Sequence, residues 1–304
     1  MATQSHRAGF VALIGRPNVG KSTLMNALLQ QKVAAVSPRP QTTRRRQFGI
    51  LTLPQAQLVL VDTPGLHQAH HKLGDYMNEV AVDALADADV ILWIIDTTEA
   101  LTAEDKAIAT RLSGLSRPGP ILAVLNKTDL VTEAELKTRQ NAVAALLPQA
   151  QLHPVAATRP NSLPGLLATV IELLPESPPF YDAEQVTDLY EREIAADLIR
   201  EAVLLHLRDE VPHAVAVRID EYKERSETLA YIAATLFVER DSQKSILIGQ
   251  NGSMIKKIGA SARQEIEAMS GRQVYLDLHI KVSKNWRDDP NALARFGYQR
   301  VDEA

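Results

Sequence analysis

Eight residues near the N-terminus, Gly15-Arg16-Pro17-Asn18-Val19-Gly20-Lys21-Ser22, have the types and spacing to hold a phosphate chain. They follow the apolar run Phe10 to Ile14 and open the amphipathic segment Thr23 to Gln30, so a strand, a glycine loop and a helix are expected in that order. Such a loop turns successive backbone N–H groups, and the positive end of the helix, toward one point where an anion can sit. Lys21 then reaches the outer phosphates and the Ser22 hydroxyl takes one coordination place on magnesium. The implied ligand is a nucleoside triphosphate with magnesium.

Two further stretches extend this chemistry. Asp62-Thr63-Pro64-Gly65 ends an apolar strand, Gln57 to Val61, about forty residues after the loop. An acid there can hold magnesium through water, and the Gly65 N–H can approach the terminal phosphate. Between them lies Lys32 to Arg46, whose two prolines and arginine run fit no regular period and read as a loop. Thr42 or Thr43 could close from this loop over magnesium and the third phosphate, and the sequence does not choose between them. After Leu66 come His67, His70 and His71, which could serve as a base, although loop histidines are far more often solvated.

Asn126-Lys127-Thr128-Asp129 follows the apolar strand Ile121 to Leu125 and selects the base. Guanine presents N1–H and an exocyclic amine side by side, and one carboxylate, Asp129, accepts from both. Adenine would oppose that carboxylate with a lone pair, a mismatch costing on the order of 10⁴ to 10⁵ in selectivity. GTP or GDP is therefore expected. Lys127 can lay its stem over the base and Asn126 can tie this loop to the phosphate loop.

The elements that must carry these residues alternate strand and helix. Strands are expected at Gln47 to Leu53, Gln57 to Val61, Val90 to Asp96, Ile121 to Leu125 and Leu152 to Ala156, with helices at Leu73 to Ala86, Glu133 to Leu147 and Leu163 to Leu174. That order predicts a mostly parallel, three-layer α/β domain over residues 1–174, with ligands at the strand C-terminal ends. Three prolines in 175–182 make a semi-rigid linker.

From 183 to 304 an α+β domain is expected. A helix spans Val186 to Leu207, with Leu189, Tyr190, Ile194, Leu198 and Leu205 as its core face. Strands around Val215 to Ile219 and at Val274 to Val282 alternate apolar with polar residues, and Leu229 to Val238 makes another strand between them. Between the last two, helical pieces meet at Gly249-Gln250-Asn251-Gly252. Isoleucines on both sides, Ile248 among them, and Lys244, Lys256 and Lys257 nearby suggest a KH domain for single-stranded RNA. A short helix within Asp288 to Tyr298 closes the chain.

Composition agrees. With 304 residues, 45% apolar and no cysteine, the chain reads as two globular domains from a reducing compartment, with no signal peptide or membrane span. The net charge of -4 is uneven: Arg240 to Arg287 holds nine basic and four acidic residues, a local +5 that leaves -9 elsewhere. A polyanion partner is expected at that region.

Taken in order, GRPNVGKS, QTTR, DTPG, NKTD, the proline linker and VERDSQKSILIGQNGSMIKKIG resemble the Era family of bacterial GTPases along nearly the whole chain. The resemblance implies a Ras-like G domain followed by a type II KH domain. It also implies a cytoplasmic monomer, partly peripheral at the inner face of the membrane, that binds the 3′ end of small-subunit ribosomal RNA and assists assembly of the small ribosomal subunit. It further implies a potassium ion near Asn18, acting in hydrolysis. Two departures stand out. Related GTPases carry Ser-Ala in the last base-contacting loop, where this chain has Ala156-Ala157; the Ala157 N–H is expected to reach guanine O6 without a supporting hydroxyl. Leu66 takes the place of a water-positioning glutamine, so intrinsic hydrolysis should be slow. Two other readings stay open: an RNA-binding assembly chaperone with a structural nucleotide, and a membrane-associated signalling GTPase.

Overall fold

The computed structural model describes residues 6–298 except 38, 40, 41, 67, 68, 70, 117 and 118. It divides into two compact units. The first comprises residues up to 32, 43–68 and 77–188; the second comprises 33–42, 69–76 and the chain from 189.

The first unit is built on six strands: β1 (Arg7–Ile14), β2 (Gln47–Leu53), β3 (Ala56–Asp62), β4 (Val90–Asp96), β5 (Ile121–Asn126) and β6 (Gln151–Pro154). Their order across the sheet is β2-β3-β1-β4-β5-β6, parallel except where β2 runs antiparallel to β3. Every residue of β3, β4 and β5 is buried, as a strand covered on both faces requires. Helices α1 (Lys21–Leu29), α2 (Lys72–Ala86), α3 (Ala103–Ser113) and α4 (Glu133–Leu146) lie between successive strands, and α5 (Pro164–Leu173) follows β6. One core joins Ile91, Trp93 and Ile95 of β4 to Ala81, Ile108, Leu112 and Val143 of α2, α3 and α4. The sheet order sets β1 between β3 and β4, so the phosphate loop, the end of β3 and the end of β5 all open at the same sheet edge.

Helix α3 escapes a reading by large apolar residues, because its buried apolar side chains are Ile108, Ala109 and Leu112, with the carboxylate of Asp105 buried beside them. Its start is nonetheless written in the sequence: Thr102 and Asp105 cap each other's backbone in a capping box.

The second unit follows with α6 (Glu191–His206), β7 (Ala216–Ser226), β8 (Leu229–Val238), α7 (Asp241–Ile248), α8 (Ser253–Ser270), β9 (Gln273–Val282) and α9 (Pro290–Arg295). Strands run β7-β8-β9, the first pair antiparallel and the second parallel. Alternate residues of β8, from Ala230 to Val238, pack on the helices in one core with Ile258, Ala262 and Ile266 of α8. Trp286 is fully buried, donates Nε1–H to the Ala214 carbonyl at 2.8 Å and packs edge-on to Phe296.

Two expectations are corrected here. The helix expected from Val186 begins only at Glu191, because β2 is an edge strand whose outer side needs partners. Residues 186–188 supply them: Ile50 N–H donates to Val186 O at 2.7 Å, and the Thr187 hydroxyl to Phe48 O at 2.7 Å. The chain therefore stays with the first unit through Asp188, beyond the 175–182 boundary read from its prolines. The core face of α6 also differs. Tyr190 and Leu205 are exposed, whereas Ile194 and Leu198 are buried together with Ala195, Ile199, Ala202 and Val203. Two alanines complete the stripe, which is why counting only bulky side chains misplaced its edges.

Candidate nucleotide site and nucleic-acid interface

The phosphate loop leaves β1 at Gly15 and enters α1 at Lys21. Gly20 caps α1 at φ 101°, and a Cβ there would strike the Asn126 amide, so both conformation and space demand glycine. The Lys21 ammonium is buried and donates to Gly15 O and Arg16 O, each at 3.1 Å, which folds it across the loop. Burial pushes it down to about 8, Asp62 opposing and Arg16 assisting the shift.

Three oxygens converge beside it. Asp62 Oδ2 accepts from Ser22 Oγ at 2.6 Å and from Thr43 Oγ1 at 3.0 Å, and the two hydroxyls lie 3.0 Å apart. The other carboxylate oxygen, Asp62 Oδ1, is buried without a hydrogen-bond partner among the described residues. Burial raises the Asp62 carboxyl above its ordinary range, against the pull of Lys21 and the two hydroxyls. A buried carboxylate with an unused oxygen beside two hydroxyls is a hard, all-oxygen donor set, and it fits magnesium. Thr42 is placed differently: its hydroxyl donates to Arg39 O at 2.9 Å and its carbonyl accepts from Arg200.

Not every residue expected at the phosphates points a side chain there. Arg16 is drawn to Glu99 at 2.5 Å and Asp105 at 3.3 Å, leaving its backbone to the loop. Thr63 spends its hydroxyl on Leu13 O at 2.8 Å, tying the end of β3 to β1. Pro64 leads into Gly65, which lies so close that a Cβ would stand 2.6 Å from Pro17 N. Leu66 is buried in the core with Ile14 and Trp93. Asn18 adopts φ 65°. His67 and His70 lie outside the described residues, and His71 Nδ1 sits 3.1 Å from Asp288 Oδ2.

The base side is assembled by Asn126. Its Nδ2 donates to Val19 O at 2.8 Å and its Oδ1 accepts from Ala157 N at 3.0 Å, so one buried amide joins the phosphate loop to both base loops. The Ala157 N–H expected at guanine O6 is thus engaged by Asn126. Lys127 Nζ reaches Asp96 Oδ2 at 2.5 Å, which stretches its stem along the pocket. Thr128 N–H donates to Val155 O at 3.1 Å. Asp129 is mostly buried, with Thr158 Oγ1 at 3.5 Å and Arg159 Nε at 3.8 Å from Oδ2.

The hydroxyl absent at Ala156 returns from six residues downstream. Ser162 Oγ accepts from Ala156 N at 3.0 Å and lies 2.8 Å from the carbonyls of Ala156 and Arg159. Reading only the two-residue motif missed it; the signal was a serine in the turn before Pro164.

In the second unit Gly249, at φ 69°, ends α7, and Gln250–Gly252 form one 3-10 turn with Asn251 at φ 52°. Gly252 sits at φ 76° at the start of α8, which has no side-chain cap, and a Cβ there would meet nothing closer than 4.0 Å. The leading N–H groups of an 18-residue helix therefore face an open approach. Ile248, Gln250, Asn251, Lys256 and Lys257 are exposed and Lys244 is half-buried. A groove between α8 and β9, lined by Lys256, Gly259, Arg263 and Tyr275 among others, runs from this turn. Arg263 was not anticipated, although it lies seven residues after Lys256 and so on the same face.

Fold and site define a P-loop GTPase domain followed by a KH domain. Residues 10–127 match the family described as 50S ribosome-binding GTPase, and residues 210–287 the family described as KH domain. The GTPase Era of Halothermothrix orenii is 43% identical over 295 residues, 97% of this chain and 99% of that protein. That of Geotalea daltonii is 41% identical over 299 residues, 98% and 100% respectively. A crystal structure of Era with MgGDPNP and nucleotides 1506–1542 of 16S ribosomal RNA superposes at a TM-score of 0.92 and 37% identity, covering 97% of this chain and all of that one. An Aquifex aeolicus Era variant bound to GDP and aluminium fluoride gives 0.91 at 37% identity, with the same coverage. The chain belongs to the Era family of GTPases.

Proposed function

We propose that this protein hydrolyses GTP slowly at the first unit's strand ends, and that the nucleotide it holds governs binding of single-stranded small-subunit ribosomal RNA by the second. The observation that carries the reading is the Ser22, Thr43 and Asp62 cluster with its unused carboxylate oxygen beside Lys21. Loop amides from Gly15 to Ser22 cradle the phosphates, and Lys21 gains charge neutralisation from them that its burial otherwise withholds. When bound, magnesium neutralises the β- and γ-phosphate oxygens. Ser22 and Thr43 would hold it directly and Asp62 from beyond its water shell. Thr43 is favoured over Thr42 because its hydroxyl is already turned into the cluster. Gly65 N–H would meet the end of the third phosphate.

Asp129 reads the guanine N1–H and amine, Lys127 covers the base, and Asn126 holds both loops in register. With Leu66 buried in the core, no side chain at that position orients the attacking water, which supports slow turnover suited to a timer. The Era structure solved with a 16S ribosomal RNA segment supports an RNA target of the same kind, and with it a role in small-subunit assembly. A monomer working in the cytoplasm, with peripheral contact at the inner membrane face, fits this role; no described helix is long and apolar enough to cross a membrane.

Steady-state GTP turnover tests the hydrolytic half. Loss of magnesium-dependent phosphate release in Lys21→Ala and Asp62→Ala is expected; activity retained in both would move the chemistry elsewhere. Replacing potassium by sodium in the same assay tests Asn18, since unchanged turnover removes the monovalent ion from the account.

A further inference from the structure

The second unit carries an aromatic stack that its core does not use. Tyr231 of β8 and Tyr275 of β9 are register partners, with ring centroids 5.7 Å apart and planes at 21°, a stacked pair. The Arg225 guanidinium lies 4.8 Å from the Tyr231 centroid, so Tyr231 is engaged by both neighbours. Tyr275 is the free end, 65% exposed. On β9 it stands on the face opposite Val274, Leu276 and Leu278, which turn to the helices.

Tyr275 also forms a rim of the groove between α8 and β9, a cleft of about 370 Å³. Lys256 and Arg263 line it two helical turns apart, Gly259 between them leaves room, and among the described residues no acidic side chain lines it. Among the described residues β9 pairs with β8 alone, which leaves the outer edge of a strand that lines this cleft unpaired. Two cations in a row, an open ring face and a strand edge suit a ligand with anionic backbone and flat, exposed bases. An apolar peptide has no use for the cations, and duplex RNA hides its base faces.

We propose that Tyr275 is a base-stacking platform, on which one unpaired nucleobase of single-stranded RNA lies while Lys256 and Arg263 follow its phosphates; this rests on the RNA reading of the second unit. Tyr231 and Arg225 are positioning groups that hold the Tyr275 ring upright. The stack adds affinity without reading base identity, because every base offers a ring face.

The test measures affinity of the full chain for a short unpaired RNA of small-subunit 3′-end sequence, by fluorescence anisotropy across salt. Tyr275→Ala is expected to weaken binding about fivefold to a hundredfold, with an unchanged dependence on salt, and Tyr275→Phe to stay within about twofold of wild type. Lys256→Ala should instead flatten the salt dependence. Abasic substitution along the RNA should reveal one position whose loss costs wild type much and Tyr275→Ala little. Gly252→Asp separates the two layers. If it abolishes binding while Tyr275→Ala matches wild type, the platform is overturned and the RNA reading stands. If neither variant weakens binding, both fall. Circular dichroism confirms folding, which an exposed side chain should not disturb.

Discussion

Asn126 Nδ2 donates to Val19 O at 2.8 Å across 107 residues of chain, while the same amide's oxygen receives the Ala157 N–H. A single buried side chain thereby fixes the distance between the groups proposed to hold phosphate and those proposed to hold base. Removing it in Asn126→Ala strands a buried carbonyl and a buried N–H, each worth about 1 to 3 kcal/mol. GDP affinity should fall about tenfold to a hundredfold by calorimetry. An affinity equal to wild type would show that the loops keep register without it.

The cluster proposed for magnesium separates two adjacent threonines. Thr43 Oγ1 lies 3.0 Å from both Ser22 Oγ and Asp62 Oδ2, whereas Thr42 is committed to Arg39. Thr43→Val should cost a non-hydrolysable GTP analogue at least about tenfold in magnesium-dependent affinity and GDP much less. Thr42→Val should change neither by more than about twofold. The opposite ranking would place Thr42 on the metal.

Lys21 makes nucleotide affinity depend on pH. Its ammonium, brought to about 8 by burial, contributes to phosphate binding only while charged. GDP affinity should be level below about pH 8 and fall as pH rises through it, approaching tenfold per unit. Stability of the ligand-free protein runs the other way. The folded state releases this proton at about 8 and the unfolded chain only near the ordinary lysine value of 10.5, so the unfolded state binds more protons between them and stability rises with pH across that window. Calorimetry on either side of pH 8 checks the first, with Lys21→Ala as the flat control; a wild-type profile as flat as the variant's would contradict it.

Ser162 was invisible to motif reading, and its role can be measured. Ser162→Ala removes the hydroxyl that braces both the N–H and the carbonyl of Ala156. A loss of about 1 kcal/mol in stability, with a few-fold weaker GDP affinity, is expected. Denaturant titration with and without GDP separates the two, and no change in either would make the brace decorative.

What the sequence made legible follows from the range of the forces involved. Strands β3, β4 and β5 are continuous apolar runs, and their motifs sit at the ends, so position and chemistry could be read together. The roles proposed for Asp62, Lys21 and Asp129 follow from residue type. What escaped depends on partners far along the chain. The start of α6 was hidden because residues 186–188 serve the edge of β2, some 140 residues earlier. Nothing local to Arg16 reveals its partners Glu99 and Asp105, which lie more than eighty residues away. Thr42 and Thr43 differ in side-chain direction, which a loop sequence does not encode.

The central claim is that the first unit's nucleotide governs the second unit's grip on RNA. Affinity for the single-stranded small-subunit 3′-end RNA, measured with GDP and with a non-hydrolysable GTP analogue at matched salt and magnesium, tests it most directly. The account predicts tighter binding with the analogue, lost in Gly252→Asp. Equal affinity in both nucleotide states would contradict it and leave the nucleotide a structural ligand of an RNA-binding chaperone.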